Sequence, residues 1–233
     1  MTHRNYSRHL ALLSSYVLWY RIAMDKRLAI TVDLGATNIR VGIVSEKGKI
    51  LFLQREKTNK NGRNGRAVTN QIISLIKRTV IESGAVHANI KGIGISSFGP
   101  LDDKRGGVRN PANVPYAFIP LVEPLETVFR LPAVLLNDAN AGALAEQKFG
   151  AGRGLKNLVY ITISTGIGGG VIADGKLLLG RGGNAAEVGH FIIDTFYNLP
   201  CSCGRGIGHW EGYASGRNMP RFFRHWANKK GRK

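Results

Sequence analysis

Two glycine turns, each closing an apolar strand and opening a hairpin, constrain this chain more than any other feature. The first is Asp33-Leu34-Gly35-Ala36-Thr37-Asn38, directly after the run Leu28–Asp33, and Ile39–Ser45 and Lys49–Glu56 follow it around Lys47-Gly48. The second is Ser164-Thr165-Gly166-Ile167-Gly168-Gly169-Gly170, after Leu158–Ser164, with Gly170–Ala173 and Lys176–Leu179 around Asp174-Gly175. Each set reads as an apolar strand, a glycine loop and a hairpin, and the echo predicts a duplicated lobe with a phosphate loop in each copy.

The segments between the turns alternate in period. Over Thr69–Ile81 the residues Ile72, Ile73, Leu75, Ile76, Val80 and Ile81 recur at helical spacing, and Ile90–Ser96 reads as a strand. A helix near Leu121–Phe129, a strand at Ala133–Leu136 and the alanine-rich helix Ala139–Phe149 follow. This order predicts an α/β protein with mixed sheets, divided into an N-terminal lobe at 28–136 and a second lobe at 137–233.

The net charge of +18 raises the question of a nucleic-acid partner, and its placement answers it. Residues 1–27 contribute +4 and residues 212–233 contribute +7, leaving +7 between them, enough to attract polyphosphates. No basic helix with interleaved aromatics occurs, so no nucleic acid is expected. Leu10–Tyr20 faintly resembles a signal peptide but is too short to span a membrane and lacks a cleavage site, so no membrane partner is expected. Met24 stands just before the first strand, and residues 1–27 read as an N-terminal extension, with translation expected to start at Met24. Cys201 and Cys203 are the only cysteines; their scarcity suits a reducing, cytoplasmic location, and the Cys-x-Cys spacing fits a metal or free thiols better than a disulfide.

Chemistry follows from the residue types at the turns. In the first, Gly35 allows close backbone approach to a phosphate, Thr37 and Asn38 can donate hydrogen bonds, and Asp33 can hold a hydrated Mg²⁺. An ordinary hairpin turn with an Asp at its mouth would read the same way. In the second, glycines beside hydroxyls make a nest of N–H donors for anionic oxygens, with Thr165, Gly166 and Gly168 the phosphate-facing candidates. It is neither a Walker loop nor a dinucleotide fingerprint. Between them Asn137-Asp138 sits where an apolar strand ends and a helix begins, where a carboxylate can orient a substrate hydroxyl and accept its proton, or simply cap the helix.

These segments, together with Gly94-Ile95-Ser96-Ser97-Phe98-Gly99-Pro100-Leu101-Asp102, Glu187-Val188-Gly189-His190 and Cys201-Ser202-Cys203-Gly204, occur in the order seen in ROK-family sugar kinases, which residues 28–218 resemble. The resemblance is nearest to the glucokinase or hexokinase branch. It implies an actin-like (ribonuclease H-like), two-lobed ATPase fold that phosphorylates a hexose hydroxyl, most simply glucose to glucose 6-phosphate, using ATP with Mg²⁺. Asp138 then matches the catalytic base, and Asn113, Asn137, Glu187, His190 and Glu211 match positions that hold sugar hydroxyls. His190, Cys201 and Cys203 match ligands of a structural Zn²⁺. The family's last cysteine is replaced by His209 in a loop one residue longer, which keeps a Cys₂His₂ set. A homo-oligomer is implied at full length. Family members continue beyond the zinc loop, so the second lobe is expected to be incomplete here. A non-catalytic sugar-binding remnant and a ROK-type sugar-responsive transcriptional regulator are the alternative readings; the second needs a DNA-binding module ahead of Leu28.

Overall fold

A computed structural model describes residues 27–229 except 112, 113, 195 and 205. The expected extension up to residue 26 and Asn113, expected to contact sugar, lie outside the described residues. The chain divides into two compact units, one ending at Leu136 and one beginning at Asn137.

In the first unit, β1 (Leu28–Leu34), β2 (Asn38–Ser45) and β3 (Ile50–Lys57) form an antiparallel meander. Alternation along β1 buries Leu28, Ile30, Val32 and Leu34 on one face, as the two-residue period of a strand requires. Helix α1 (Arg66–Ser83) packs on β2 and β3 through Val68, Ile72, Leu75, Ile76 and Thr79. It ends at Gly84, whose φ of 69° closes the last turn with a hydrogen bond to the Ile81 carbonyl. Ile81, which the periodicity placed among the apolar residues of this helix, is 77% exposed, because it lies on the face opposite the buried stripe of Ile72, Ile76, Thr79 and Ser83. Strand β4 (Ile90–Ser97) runs parallel to β1, and the sheet order is β3-β2-β1-β4-β8, where β8 is Ala133–Asn137.

A small antiparallel sheet of β5 (Leu101–Asp102), β6 (Gly107–Arg109) and β7 (Phe118–Pro120) occupies the Gly/Pro-rich stretch. Strands of two or three residues are too short to show a period, so none was expected there. Helix α2 (Val122–Phe129) then leads into β8. The hydrophobic core cluster, from Leu28 to Leu125, lies within this unit.

The second unit opens with α3 (Asp138–Phe149), followed by the antiparallel meander β9 (Leu158–Ile163), β10 (Ile167–Ala173) and β11 (Lys176–Leu177). Asp174 and Gly175, with φ of 48° and 77°, make the tight β10–β11 turn that strand twist favours. The meander repeats β1–β3, as the echo in the sequence predicts. Helices α4 (Glu211–Ala214) and α5 (Met219–Lys229) close the described chain. The expectation that no basic helix with interleaved aromatics occurs is corrected by α5, which sets Arg221, Arg224 and Lys229 among Phe222, Phe223 and Trp226; it is ordered by Phe222, whose ring meets those of Tyr197 and Tyr213. Apolar cover is thin in this unit, and Val159, Ile161 and Ile163 on one face of β9 are exposed.

Candidate functional site

The first glycine turn is built by its own backbone. The Gly35 N–H donates to the Asn38 carbonyl at 2.9 Å, and a Cβ at position 35 would fall 2.9 Å from that same oxygen. Thr58 secures the turn from outside: its hydroxyl donates to the Gly35 carbonyl at 2.7 Å and its N–H to the Thr37 carbonyl at 3.0 Å. Sequence reading missed Thr58, which is distant in the chain and lies in no motif. Asp33 pairs across the strands with Arg40, Oδ2 to Nη1 at 2.7 Å, so a hydrated cation there would compete with a guanidinium.

In the second unit the glycine run divides its labour. Only Ser164, Thr165 and Gly166 form the β9–β10 turn; Gly168, Gly169 and Gly170 are strand residues of β10. Gly168, a phosphate-facing candidate in the sequence, thus lies at the start of β10, just beyond the bend. A Cβ at Gly168 would meet that of Ala139 at 3.3 Å, and one at Gly170 would lie 2.5 Å from the Ala139 carbonyl oxygen. One position between, a Cβ at Gly169 would lie 2.8 Å from the Ala186 carbonyl and strike Val188 at 2.9 Å. With a period of two, Gly168 and Gly170 admit α3 while Gly169 admits the 186–188 segment on the other face. Gly189 works in reverse, since its Cβ would fall 2.2 Å from the Ile167 carbonyl oxygen. The glycines thus bring Asp138, Glu187 and His190 toward one end of β10.

Asn137, in extended conformation, is the residue that caps α3, accepting from the Ala139 N–H at 3.0 Å. Asp138 is the first helical residue, and its Oδ1 accepts from the same N–H at 2.8 Å. The two side chains thus share this capping N–H, and the carboxylate of Asp138 stands at the positive end of the helix. The protein packed around Glu187, half of whose side chain is still open to solvent, pushes its carboxyl above the usual range. The neighbouring His190 opposes that rise, while the charges of Asp138 and Glu211 add to it, which puts three carboxylates within electrostatic reach.

His190 Nε2 lies 3.6 Å from Glu187 Oε2, and its Nδ1 lies 3.6 Å from Cys201 Sγ. Cys203 Sγ and His209 Nδ1 are likewise 3.6 Å apart, and one ligand atom from each of the four residues falls within 4.8 Å of every other. Tetrahedral zinc, with bonds of about 2.0–2.3 Å, sets ligand atoms roughly 3.5 Å apart, so this donor set fits the metal that the sequence implies. A carboxylate on the far nitrogen of a ligating His is the usual outer partner, and Glu187 is placed to serve. Burial pushes the Cys201 thiol up to about 12, which shows how little this position favours a bare thiolate.

Three contacts that sequence reading did not find brace this loop. Asn218 donates to the Ser202 hydroxyl at 2.8 Å and to the Glu211 carbonyl at 3.1 Å. The Tyr213 hydroxyl donates to Asp194 Oδ2 at 2.7 Å. Glu211 turns its carboxylate to the glycine turn, where Oε2 accepts from the Ile167 N–H at 3.0 Å. Asn140, fully buried in the first turn of α3, has neither side-chain polar atom hydrogen bonded.

Residues 29–233 match the ROK family. The chain belongs to the ROK family. It is 42% identical to the glucokinase of Thermotoga maritima over 205 residues, covering 86% of this chain and 61% of that protein. A solved ROK-family glucokinase from Streptomyces griseus, in complex with glucose and AMPPNP, aligns with a TM-score of 0.71 at 37% identity, over 88% of this chain and 62% of that one. The xylose repressor of Caldicellulosiruptor bescii is 34% identical over 85% of this chain and 49% of its own length. The ROK fold here is the actin-like α/β fold with mixed sheets, and the chain spans about three-fifths of the glucokinases it matches, so the second lobe is present in part. Among the described residues no helix is long and apolar enough to cross a membrane.

Proposed function

We propose that this chain carries the phosphoryl-transfer framework of an ATP-dependent hexose kinase, with glucose as the acceptor. The observation that carries the reading is the gathering of Asp138, Glu187 and His190 at the end of β10 beside the Ser164–Gly166 turn, each held there by a different glycine contact. Asp138 accepts the proton of the sugar hydroxyl as the sugar oxygen bonds to the γ-phosphorus and the bond from that phosphorus to the β,γ-bridging oxygen breaks, with ADP leaving. A carboxylate of ordinary basicity suffices, because positioning and charge neutralisation dominate this chemistry. Asn137, Glu187 and His190 pair with other hydroxyls, acting as both donors and acceptors toward a polyol. Asn113 is proposed for a further hydroxyl on the resemblance alone. Thr165 and Gly166 offer donors to phosphate oxygens, as do Thr37 and Asn38 in the first unit, where Gly35 forms the bend that lets the backbone approach. Mg²⁺-ATP supplies the phosphoryl group, and Asp33 is the carboxylate proposed to face the hydrated ion, in competition with Arg40. Zinc, held by His190, Cys201, Cys203 and His209, supplies rigidity to the loop that presents His190.

The repressor relative favours a second reading, a sugar-binding body without catalysis. One experiment separates the two: the full chain assayed with ATP, Mg²⁺ and a panel of hexoses and N-acetylhexosamines. Phosphorylation of glucose in preference to 2-deoxyglucose supports the kinase reading, since a missing hydroxyl leaves a polar partner unpaired at roughly 1–3 kcal/mol. Preference for an N-acetylated sugar overturns glucose but keeps the kinase. Sugar binding without phosphorylation establishes the second reading.

A further inference from the structure

We propose that Glu211 is a positioning residue that links the Cys/His cluster to the Ser164–Gly166 turn, so that metal occupancy sets the rigidity of that turn. The inference rests on the reading above only in taking the turn to face phosphate.

The turn is gripped at both ends by the segment around α4. Glu211 Oε2 accepts from the Ile167 N–H at 3.0 Å, and the Gly216 N–H donates to the Ser164 carbonyl at 2.7 Å. Both contacts are close: a Cβ at Gly166 would fall 2.5 Å from Glu211 Oε2, and one at Gly216 would fall 2.8 Å from the Ser164 carbonyl. Glycine at 166 therefore serves the carboxylate as much as any ligand. The other oxygen, Oε1, accepts from the Cys201 thiol at 3.6 Å while that sulfur keeps its proton, so one carboxylate meets the glycine turn and the metal-type cluster at once. Asn218 doubles the link, joining Ser202, between the two cysteines, to the Glu211 carbonyl and the Ser215 hydroxyl. With a metal on the four ligands the Cys201 proton is gone, and the carboxylate is held over Ile167 through its backbone, by the Asn218 bridge from Ser202 and by the ligand His209 two positions before it. Without it, the cysteine loop and Glu211 loosen together, and the turn loses a charge-assisted bond from its first strand residue. This engagement is additional to the part in sugar binding that the resemblance implied for Glu211.

Amide hydrogen exchange on the full chain tests the link without nucleotide or sugar, so its outcome is independent of whether the chain phosphorylates anything. In the zinc-loaded wild-type chain, chelation is expected to speed exchange at Ile167 about tenfold or more, the scale of one charge-assisted hydrogen bond. Amides of β1, in the other unit, should keep their rates and report intact folding. In Glu211→Ala, Ile167 should exchange fast with or without zinc. Glu211→Gln, which keeps an acceptor at the same reach, should restore slow exchange in the zinc form. Slow exchange at Ile167 in Glu211→Ala, or an equal response to chelation in that variant and in the wild type, would overturn the proposal.

Discussion

The Tyr213 hydroxyl donates a 2.7 Å hydrogen bond to Asp194 Oδ2, and Asp194 also accepts from the backbone of Phe196 and Tyr197. The pair ties α4 to the chain segment just before the cysteine loop. The Tyr213 bond is the main reason the Asp194 carboxyl sits below its ordinary value, and burial, helped by Asp194, holds the Tyr213 phenol above its own. The depressed Asp194 stabilises the fold fully above about pH 4, and that contribution is lost as pH falls through its folded value. The raised Tyr213 stabilises it fully below about pH 10, and its contribution is lost as pH rises through its own folded value. The advantage of wild type over Tyr213→Phe in urea midpoint should therefore be flat near neutrality and shrink as pH falls below about 4. An advantage unchanged across that window would remove the Asp194 charge from the account.

Asp138→Asn is expected to lower turnover by about 10²–10⁴-fold, the usual contribution of a general base, while sugar affinity by calorimetry changes little. The substitution preserves shape and leaves the Asn137 cap in place. Turnover near wild type would withdraw Asp138 as the base.

Metal analysis of the purified chain is expected to find about one zinc per molecule, lost in Cys203→Ser and His209→Ala. The thermal midpoint should fall on chelation, because binding free energy at a structural site is folding free energy. A folded, zinc-free preparation with an unchanged midpoint would exclude the site.

Gly170→Ala should destabilise the chain by about 1–3 kcal/mol, as overpacking does when backbone must yield. The new methyl would meet the Ala139 carbonyl at 2.5 Å and the Ala143 methyl at 2.8 Å. Gly154→Ala, at an exposed position with φ of 82° and nothing within 4 Å of its Cβ, is the control that separates crowding from backbone strain. Equal losses in denaturant midpoint for the two variants would mean that α3 does not need the glycine.

Much of the fold was legible because local chemistry carried it. The alternation of Leu28, Ile30, Val32 and Leu34, the helical spacing of Ile72, Leu75 and Ile76, and the Asp174-Gly175 turn each depend on residues within a few positions of one another. The candidate site was legible where motif residues are neighbours in sequence, as at Asn137-Asp138 and Cys201-Ser202-Cys203. What each glycine of the second run does was not legible, since a glycine that bends the chain and one that admits a neighbour are the same letter. Only the register of β9 and β10 assigned Gly166 to the turn and Gly168, Gly169 and Gly170 to alternate faces of a strand. The links from Thr58 to Gly35, Glu211 to Ile167 and Asn218 to Ser202 were equally hidden, because they span 23, 44 and 16 positions of chain and exist only after the backbone has closed. Sequence alone determined the longer strands and helices up to β11 and which residues can do chemistry. The tertiary structure decided which of them meet, because close approach and hydrogen-bond geometry depend on distances that no local pattern encodes.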